Sequence, residues 1–269
     1  MNKIGIIGIG IVGSAIMNSF LEKGYEINKS LFIYDKYKNI NNIDLMIETD
    51  LLFLALPTPY NEIIQTYNID SLVETLDVLS QKNYHGTIII KSTMEPGTTD
   101  ILYDKYKLDI IHNPEFLTAR TAHQDFNNQK HIVLGHSKIH NQEKLDALIR
   151  FYKENYPLAE ISICYSIESE SMKLFTNNFY AVKVQFFTEL YLLCQKMNIE
   201  YNTVKDLMLK NGWINPQHTT VPGPDGKISY GGMCFPKDTN VLLQYMKKND
   251  SPHSILESTV NERNELRKD

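Results

Sequence analysis

One cysteine lies between two glycines and two charged residues in the C-terminal part of the sequence. Cys234 follows Gly231 and Gly232, and Lys237 and Asp238 come soon after it in the stretch GGMCFPKD. The glycines allow the backbone to approach a ligand closely, and a nearby cation favours the thiolate, which is the nucleophilic form of the side chain. The stretch indicates covalent catalysis by Cys234, and a buried loop cysteine would fit the same residues.

A lysine and an asparagine are spaced to share one face of a helix. Lys173 and Asn177 are four residues apart in a long segment of helical pattern, so their side chains would lie one turn apart. An ammonium group and an amide in that arrangement can stabilise an oxyanion. Solvated lysine and asparagine side chains on a helix surface are the alternative.

Two further polar residues follow apolar runs of strand length. Glu115 comes shortly after Leu108–His112, and Thr93 comes shortly after Thr87–Lys91. Ligands of open α/β sheets bind at the carboxyl ends of the strands. The Pro, Phe and Leu around Glu115 would raise its pKa toward that of a general base. Both residues would also fit ordinary strand ends.

The first residues of the chain carry a dinucleotide fingerprint. The stretch Gly8–Gly13 (GIGIVG) follows a strand-like run and opens a helical segment, so that the helix N-terminus would face a pyrophosphate. Asp35 ends the next strand-like run, where its carboxylate can bind the ribose hydroxyls, which favours NAD over NADP. A glycine turn with a surface aspartate is the alternative. The predicted cofactor residues are Gly8, Ile9, Gly10, Ile11, Val12, Gly13 and Asp35.

The elements that would position these residues alternate in the first half of the chain. The strand-like runs are Lys3–Ile7, Ser30–Tyr34, Asp50–Leu56, Thr87–Lys91, Leu108–His112 and His131–Leu134. The helix-length segments between them include Val12–Lys23, Ile69–Gln81 and Thr98–Tyr106. This alternation predicts an α/β fold, with a Rossmann-like, doubly wound parallel sheet in residues 1–165.

The strand pattern fades after residue 165. Ser166 is a suitable N-cap for a helix that runs without Gly or Pro to about Met197. Further helical segments are Val204–Lys210, Asn240–Lys248 and Ile255–Leu266. The prediction is an all-helical domain over residues 166–269.

Composition narrows the classes of protein. The 269 residues carry a formal net charge of −5, so a nucleic-acid partner is not expected, and without an apolar run of membrane-spanning length we expect a cytosolic protein. The three cysteines argue against a disulfide framework; Cys164 and Cys194 are expected to be buried. The eight histidines show no metal-ligand spacing, and no metal is expected.

Taken together, the motifs resemble the UDP-glucose/GDP-mannose dehydrogenase family. The matching stretches are Gly8–Gly13, Leu56–Pro59, Lys91–Thr93, Asn113–Leu117, Lys173 through Asn177 and Gly231–Asp238. They occur in the family's order and cover essentially the whole chain. The resemblance implies a four-electron oxidation of the C6 alcohol of a nucleotide sugar to a carboxylate, with two NAD molecules.

The resemblance also implies roles for individual residues. Cys234 would capture the aldehyde as a thiohemiacetal, which becomes a thioester, and Lys173 and Asn177 would stabilise the oxyanion. Thr93 and Asp238 would position water and assist proton transfer, and Glu115 would serve in thioester hydrolysis. Further cofactor contacts are assigned to Pro57, Thr58, Ser92, Thr93 and Lys237. Substrate contacts are assigned to Glu115, Phe116, Leu117, Lys173, Asn177, Tyr230 and Gly231.

The sequence departs from the family pattern in several places, among them the stretch Val221–Gly226, which does not match the usual sugar-binding loop well. Ala119 stands where members usually carry a second glutamate. Members also usually continue into a third, nucleotide-binding domain, so weak nucleotide binding is expected of this chain alone. The chain is interpreted as a nucleotide-sugar dehydrogenase that forms a homodimer through its helical domain. One alternative is a β-hydroxyacid dehydrogenase, which shares a Lys-x-x-x-Asn pair but needs no cysteine. The other is a non-catalytic NAD-binding module that partners a full-length enzyme.

Overall fold

Short runs of Ile, Leu and Phe form the strands of the protein, and amphipathic segments form its helices. The computed structural model describes residues 2–268. Its strands are β1 (Ile4–Ile7), β2 (Leu31–Tyr34), β3 (Leu51–Leu54), β4 (Tyr60–Asn61), β5 (Thr66–Tyr67), β6 (Thr87–Ile90), β7 (Ile110–His112), β8 (His131–His136) and β9 (Glu160–Tyr165). Its α-helices are α1 (Ile11–Glu22), α2 (Asp70–Gln81), α3 (Thr98–Tyr106), α4 (Ala122–Asn127), α5 (Gln142–Asn155), α6 (Ser166–Met197), α7 (Tyr201–Leu209), α8 (Phe235–Lys248) and α9 (Ser254–Leu266).

The chain divides into two compact units, and the larger one contains the main sheet. It comprises residues 2–59 and 68–173, with strands in the order β2-β1-β3-β6-β7-β8-β9. From β1 the chain builds β2 on one side and then crosses to β3 on the other. This reversal of direction creates a crevice at the carboxyl ends of β1 and β3, where ligands of such sheets bind.

Side chains that alternate along the strands form a hydrophobic core on each face of this sheet. In β3, Phe53 packs into one core with Phe20 of α1 and Phe151 of α5. Its neighbour Leu52 packs into the other core with Leu76 of α2. Because successive side chains of a strand point to opposite faces, a strand buried on both faces needs an unbroken apolar run. The predicted α/β fold class, with helices on both faces, is confirmed.

Several elements of the first unit differ from the sequence prediction. β8 runs antiparallel to β7, and β9, α4 and α5 were not predicted. β9 pairs in parallel with β8 at the end of the sheet order, so its outer edge has no neighbouring strand. Cys164 therefore lies on an edge strand and is only half-buried, which corrects the expectation of a buried residue, whereas Cys194 is buried as expected.

The second unit is mostly helical. It comprises residues 60–67 and 174–268, so the division falls inside α6, eight residues beyond the predicted boundary at 165/166. The short antiparallel hairpin β4–β5 belongs to this unit and contacts α8. A small core of Phe187, Cys194, Tyr201 and Val221 joins α6 to α7 and the loop that follows.

Residues 2–268 contain neither a membrane-spanning helix nor a cluster of metal-binding side chains. No helix there is both long and apolar enough to span a membrane. No group of three or more His, Cys, Asp or Glu side chains there is arranged to hold a metal ion.

Candidate functional site

The loop after β1 is shaped by close backbone contacts that only glycine permits. Gly8 has φ of +89°, a conformation that costs other residues strain. A Cβ atom at Gly13 would lie 1.8 Å from the carbonyl oxygen of Gly8. At Gly10, by contrast, a Cβ atom would have no protein neighbour within 4 Å. Packing therefore requires the first and third glycines, while the second leaves space for a ligand to approach.

The N-terminus of α1 and the adjacent cavity fit a dinucleotide. Among the described residues no side chain caps the helix at Gly10, and no acidic residue lies in its first turn, so its amide groups and dipole favour a phosphate. A cavity of about 280 Å³ lies beside Gly8 and Asp35. Its apolar lining includes Ile43, Leu56, Pro57 and Val78, which suits a nucleoside base.

The Asp35 carboxylate lies at this cavity and is organised by backbone donors. Its Oδ2 accepts the N–H of Ile9 at 2.8 Å, and its Oδ1 accepts the N–H groups of Tyr37 and Lys38 at 3.0 Å. Burial acts to raise the pKa of Asp35, but these three donors and the nearby Lys38 ammonium lower it overall. The carboxylate is therefore charged at neutral pH, as ribose hydroxyl recognition requires.

The loops that follow β3 and β6 are joined by two hydrogen bonds. The Thr58 hydroxyl donates to the carbonyl of Thr93 at 2.8 Å, and the Ser92 hydroxyl donates to the carbonyl of Leu56 at 2.6 Å. Both hydroxyls therefore organise the crevice edge. Their predicted contacts with the cofactor stay predictions, as does the role of Thr93 in positioning water.

Lys173 and Glu115 are brought together within the first unit. The Nζ of Lys173 donates to the carbonyl oxygen of Glu115 and lies 3.3 Å from its Oε1. The Glu115 Oε2 accepts the N–H of Leu117 at 2.6 Å, and the lysine lies over the ring of Phe116. Both charged side chains are largely buried, so each is held in one orientation. Phe116 itself is exposed, whereas Leu117 packs partly against the core.

A buried network that the sequence reasoning did not identify supports the loop carrying Glu115. Lys91 Nζ donates to Asn113 Oδ1 at 2.8 Å, and the hydroxyl of Tyr152 donates to the same oxygen at 2.5 Å. Asn113 in turn donates to the carbonyl of Val133. Burial lowers the pKa of Lys91 to about 7; the charge of Lys173 adds to this effect and that of Glu115 opposes it.

Asp238 is the centre of the polar cluster in the second unit. It is fully buried in the first turn of α8. Its Oδ2 accepts Asn177 Nδ2 at 2.6 Å, while its Oδ1 accepts Lys237 Nζ at 2.6 Å and the Tyr67 hydroxyl at 2.5 Å. The structure thus joins three predicted residues, and it adds Tyr67 from the hairpin β4–β5.

Cys234 is the N-cap residue of α8 and is exposed. Its carbonyl accepts the N–H of Asp238 at 3.0 Å, which begins the helix. The partial positive charge of a helix N-terminus favours a thiolate over a thiol. This position supports the expected nucleophile and argues against a buried structural cysteine.

Tyr230 and Gly231 occupy different surroundings from those expected of substrate contacts. The ring of Tyr230 is buried, and its hydroxyl is hydrogen-bonded to Thr239. A Cβ atom at Gly231 would lie 2.0 Å from Nη2 of Arg267. The expectation that Gly231 leaves room for a ligand is wrong, because an arginine already occupies that space; Gly232, with φ of +78°, has the open surroundings.

The fold and the glycine loop define the class as a protein with a Rossmann-like, dinucleotide-binding domain, and its UDP-glucose 6-dehydrogenase relatives make it an NAD-dependent oxidoreductase. Two models of the UDP-glucose/GDP-mannose dehydrogenase family match it, the NAD binding domain over residues 29–155 and the central domain over residues 167–265. Together they span more than half of the chain. The chain therefore belongs to the UDP-glucose/GDP-mannose dehydrogenase family, and NAD is its cofactor.

Known relatives agree with this assignment. The UDP-glucose 6-dehydrogenase of Campylobacter jejuni is 28% identical over 99% of this chain and 72% of its own length. A UDP-glucose dehydrogenase structure from Pyrobaculum islandicum aligns with a TM-score of 0.82 and 19% identity, over 97% of this chain and 67% of that one. A 3-hydroxyisobutyrate dehydrogenase from Mycobacterium tuberculosis aligns with a TM-score of 0.73 and 14% identity, over 97% and 92%. The two structures show that both kinds of enzyme share this fold, so the fold does not choose between them.

Proposed function

We propose that the chain oxidises the C6 alcohol of a nucleotide sugar of the UDP-glucose type to the corresponding uronate. The observation that carries this proposal is the exposed Cys234 at the N-terminus of α8, one turn before the buried Asp238 with its three hydrogen-bond donors. A single oxidation of an alcohol needs no thiol, whereas oxidation through to an acid benefits from covalent capture of the aldehyde.

The proposed reaction consists of two oxidations, with covalent capture by Cys234 between them, followed by hydrolysis. NAD, held by the Gly8–Gly13 loop and Asp35, would supply the hydride acceptor for each of two oxidations. Between them the Cys234 thiolate adds to the aldehyde carbon and forms a thiohemiacetal, whose oxidation gives a thioester. Lys173 and Asn177 stabilise the oxyanion that forms at the carbonyl oxygen. Water then attacks the thioester carbon, and the C–S bond breaks to release the carboxylate and restore the thiol.

Glu115 is the proposed base for this hydrolysis. Its carboxylate is held by Lys173 and by the N–H of Leu117, which fixes its orientation in the loop after β7. Thr93 and Asp238 are proposed to position the water and to assist proton transfer. With Ala119 at the usual place of a second glutamate, Glu115 has no neighbouring substitute in that stretch.

The direct test counts NADH against a panel of nucleotide sugars. We expect two NADH for each uronate formed. Glu115→Gln keeps the shape of the side chain but removes the base, so it should slow hydrolysis by about 10²–10⁴-fold. That variant should give a burst of NADH and then stall, with a sugar adduct on Cys234 visible by intact-protein mass spectrometry.

Two other outcomes would favour the rival functions. One NADH per substrate, without an adduct, would indicate the single-hydride chemistry of a β-hydroxyacid dehydrogenase, for which the alignment with the 3-hydroxyisobutyrate enzyme over 92% of its chain provides the structural precedent. Binding of NAD without turnover of any sugar, restored by a full-length family member, would indicate a non-catalytic partner module.

We also propose that the chain forms a homodimer through α6. Phe179, Phe186 and Leu193 recur every seven residues along this helix and are 64%, 50% and 50% exposed. Phe175 and Met197 extend the exposed apolar stripe at its two ends. A heptad repeat of this kind favours pairing with a second identical helix. Sedimentation should show a dimer for the unaltered chain and a monomer for Phe186→Glu; a monomer for both would contradict the proposal. The cytosolic location stays a prediction.

A further inference from the structure

The segment from Asp225 to Gly231 leads directly to Cys234, and it adopts a conformation that its own sequence does not favour. Ser229 has φ of +61°, and glycines with positive φ lie on either side of it at Gly226 and Gly232. A serine in the left-handed region is strained. Such a backbone persists only where the surroundings hold it in place.

Side chains of α6 hold one side of this segment. The Ser229 N–H donates to the hydroxyl of Thr188 at 3.1 Å, and the Ser229 hydroxyl donates to Gln185 Oε1 at 2.5 Å. All three residues are buried. The polar groups of this serine are therefore fixed by side chains rather than by a regular backbone ladder.

Two buried arginines of the α9 region hold the other side. Arg263 Nε donates to the carbonyl of Tyr230 at 3.2 Å. Arg267 Nη1 donates to the carbonyl of Ser229 at 3.3 Å, and its Nη2 donates to Asp225 Oδ2 at 2.5 Å. The guanidinium lowers the pKa of Asp225, so the carboxylate stays charged and keeps this contact at neutral pH.

Gly231 completes the arrangement. A Cβ atom there would lie 2.0 Å from Nη2, 2.2 Å from Cζ and 2.7 Å from Nε of Arg267, so the guanidinium plane lies directly against the backbone of this glycine. Arg267 therefore fixes the position of the backbone at Gly231, which is three residues before Cys234.

We propose that Arg267, assisted by Arg263, is a positioning residue that sets where Cys234 stands at the start of α8. The inference rests on the proposed function of Cys234 as nucleophile. Because the arginine acts on backbone carbonyls, on Asp225 and on Gly231, its loss should move the thiol without altering the NAD loop. A displacement of about 1 Å of a catalytic group costs on the order of 10²-fold in rate.

The experiment compares Arg267→Ala with Lys268→Ala, which removes the exposed cation next to it. Arg267→Ala should lower kcat about 10²-fold and leave the KM for NAD unchanged, whereas Lys268→Ala should match the unaltered protein. Guanidinium chloride, at concentrations far below those that unfold proteins, should partly restore kcat of Arg267→Ala, while equal sodium chloride should not. Loss of stability alone would also lower the apparent kcat at constant KM, but it would not give the rescue by guanidinium.

A second measurement does not depend on the substrate. Iodoacetamide labelling of Cys234, followed by mass spectrometry from pH 6 to pH 9, reports how well α8 stabilises the thiolate, with Cys164 as internal reference. Arg267→Ala should shift the labelling profile to higher pH by roughly half a unit, the size of a helix-dipole contribution. An unchanged profile together with unchanged kcat would overturn the proposal.

A substitution on the other side of the contact, Gly231→Ala, keeps the test decisive if Arg267→Ala folds poorly. Gly231→Ala should shift the same labelling profile, because its methyl group meets the guanidinium, and Gly231→Ala with Arg267→Ala should shift it less than the sum of the two single changes. Additive shifts would contradict direct contact. If no nucleotide sugar yields NADH from the unaltered chain, the proposed function fails, while the labelling result still decides the role of Arg267.

Discussion

The loop after β1 and the loop before α8 both place glycines next to the start of a helix, but different groups hold them. In the first loop Gly13 packs on the carbonyl of Gly8, and the N–H of Ile9 donates to the carboxylate of Asp35 just after β2. In the second loop, side chains from distant helices make the contacts, chiefly Arg267. The first loop therefore depends on residues of β1, α1 and the end of β2, which are close along the chain, whereas the second depends on helices far along the chain.

The largest expected effect separates the two loops completely. Cys234→Ala should abolish formation of the acid, because it removes the proposed nucleophile that captures the aldehyde, and it should leave the NAD affinity unchanged. Cys164→Ala, which alters a half-buried thiol on β9, is the matched control and should retain activity. NADH release and acid yield measured with the same substrate give the result; undiminished acid from Cys234→Ala would exclude the covalent mechanism.

The first loop is tested by comparing two of its glycines. Gly13→Ala places a methyl group 1.8 Å from a carbonyl oxygen, and overpacking of this kind costs about 1–3 kcal/mol of stability. Gly10→Ala meets no protein atom, so it should leave the stability unchanged and weaken only NAD binding. Thermal unfolding and NAD titration of both variants distinguish the two effects. Equal loss of stability would show that the loop is not held as described.

A smaller effect is expected from Asp35→Ala. The unaltered protein should prefer NAD, since the charged Asp35 repels a 2′-phosphate. In the variant the preference for NAD over NADP should be about tenfold smaller, which corresponds to roughly 1.4 kcal/mol. Asp35→Asn should retain part of the contact with Ile9 and fall between the two. The ratio of kcat/KM for NAD and NADP measures the change; equal use of both by the unaltered protein would refute the assignment.

The smallest effects concern two carboxylates, Asp35, which binds the first loop from the end of β2, and Asp225, which lies in the second loop. Asp35 and Asp225 both have pKa values below the ordinary value in the folded chain, so each stabilises the fold above the unfolded pKa of about 4 and loses that contribution as the pH falls through its folded pKa. The melting temperatures of Asp35→Asn and Asp225→Asn should therefore fall less between pH 6 and pH 3 than the melting temperature of the unaltered protein. Because Asp225 is half-exposed and paired with Arg267, high salt at neutral pH should weaken its contribution more than that of Asp35. Equal salt sensitivity would count against the difference between the loops.

The same comparison explains which features could be predicted from the sequence. The glycine fingerprint and Asp35 are close along the chain and follow recognisable strands, so local pattern identifies them. Arg267 and Tyr67 act over long separations that no local pattern reveals. The β4–β5 hairpin that carries Tyr67 has strands of two residues, too short for a periodic signal.

The local sequence pattern also did not reveal the direction of β8 or the burial of Lys91. The apolar run of β8 has the same pattern as those of the parallel strands β6 and β7, because a run that is buried on both faces carries no signal of strand direction. Lys91 at the end of β6 resembles a surface lysine, and only the fold shows that Asn113 and Tyr152 enclose it. The family motifs nevertheless selected residues that lie in two polar clusters, Glu115 with Lys173 and Asn177 with Asp238, and their catalytic roles stay predictions.

The hairpin β4–β5 has a consequence for how the protein is made. Tyr67 forms its hydrogen bond to Asp238 across 171 residues of chain. At synthesis rates of about 5–20 residues per second, the hairpin leaves the ribosome roughly ten to thirty seconds before its partner helix exists. During that interval the sheet of the first unit can form, while the hairpin has no α8 to contact. The nascent chain thus carries one piece of the Asp238 cluster long before the cluster can close.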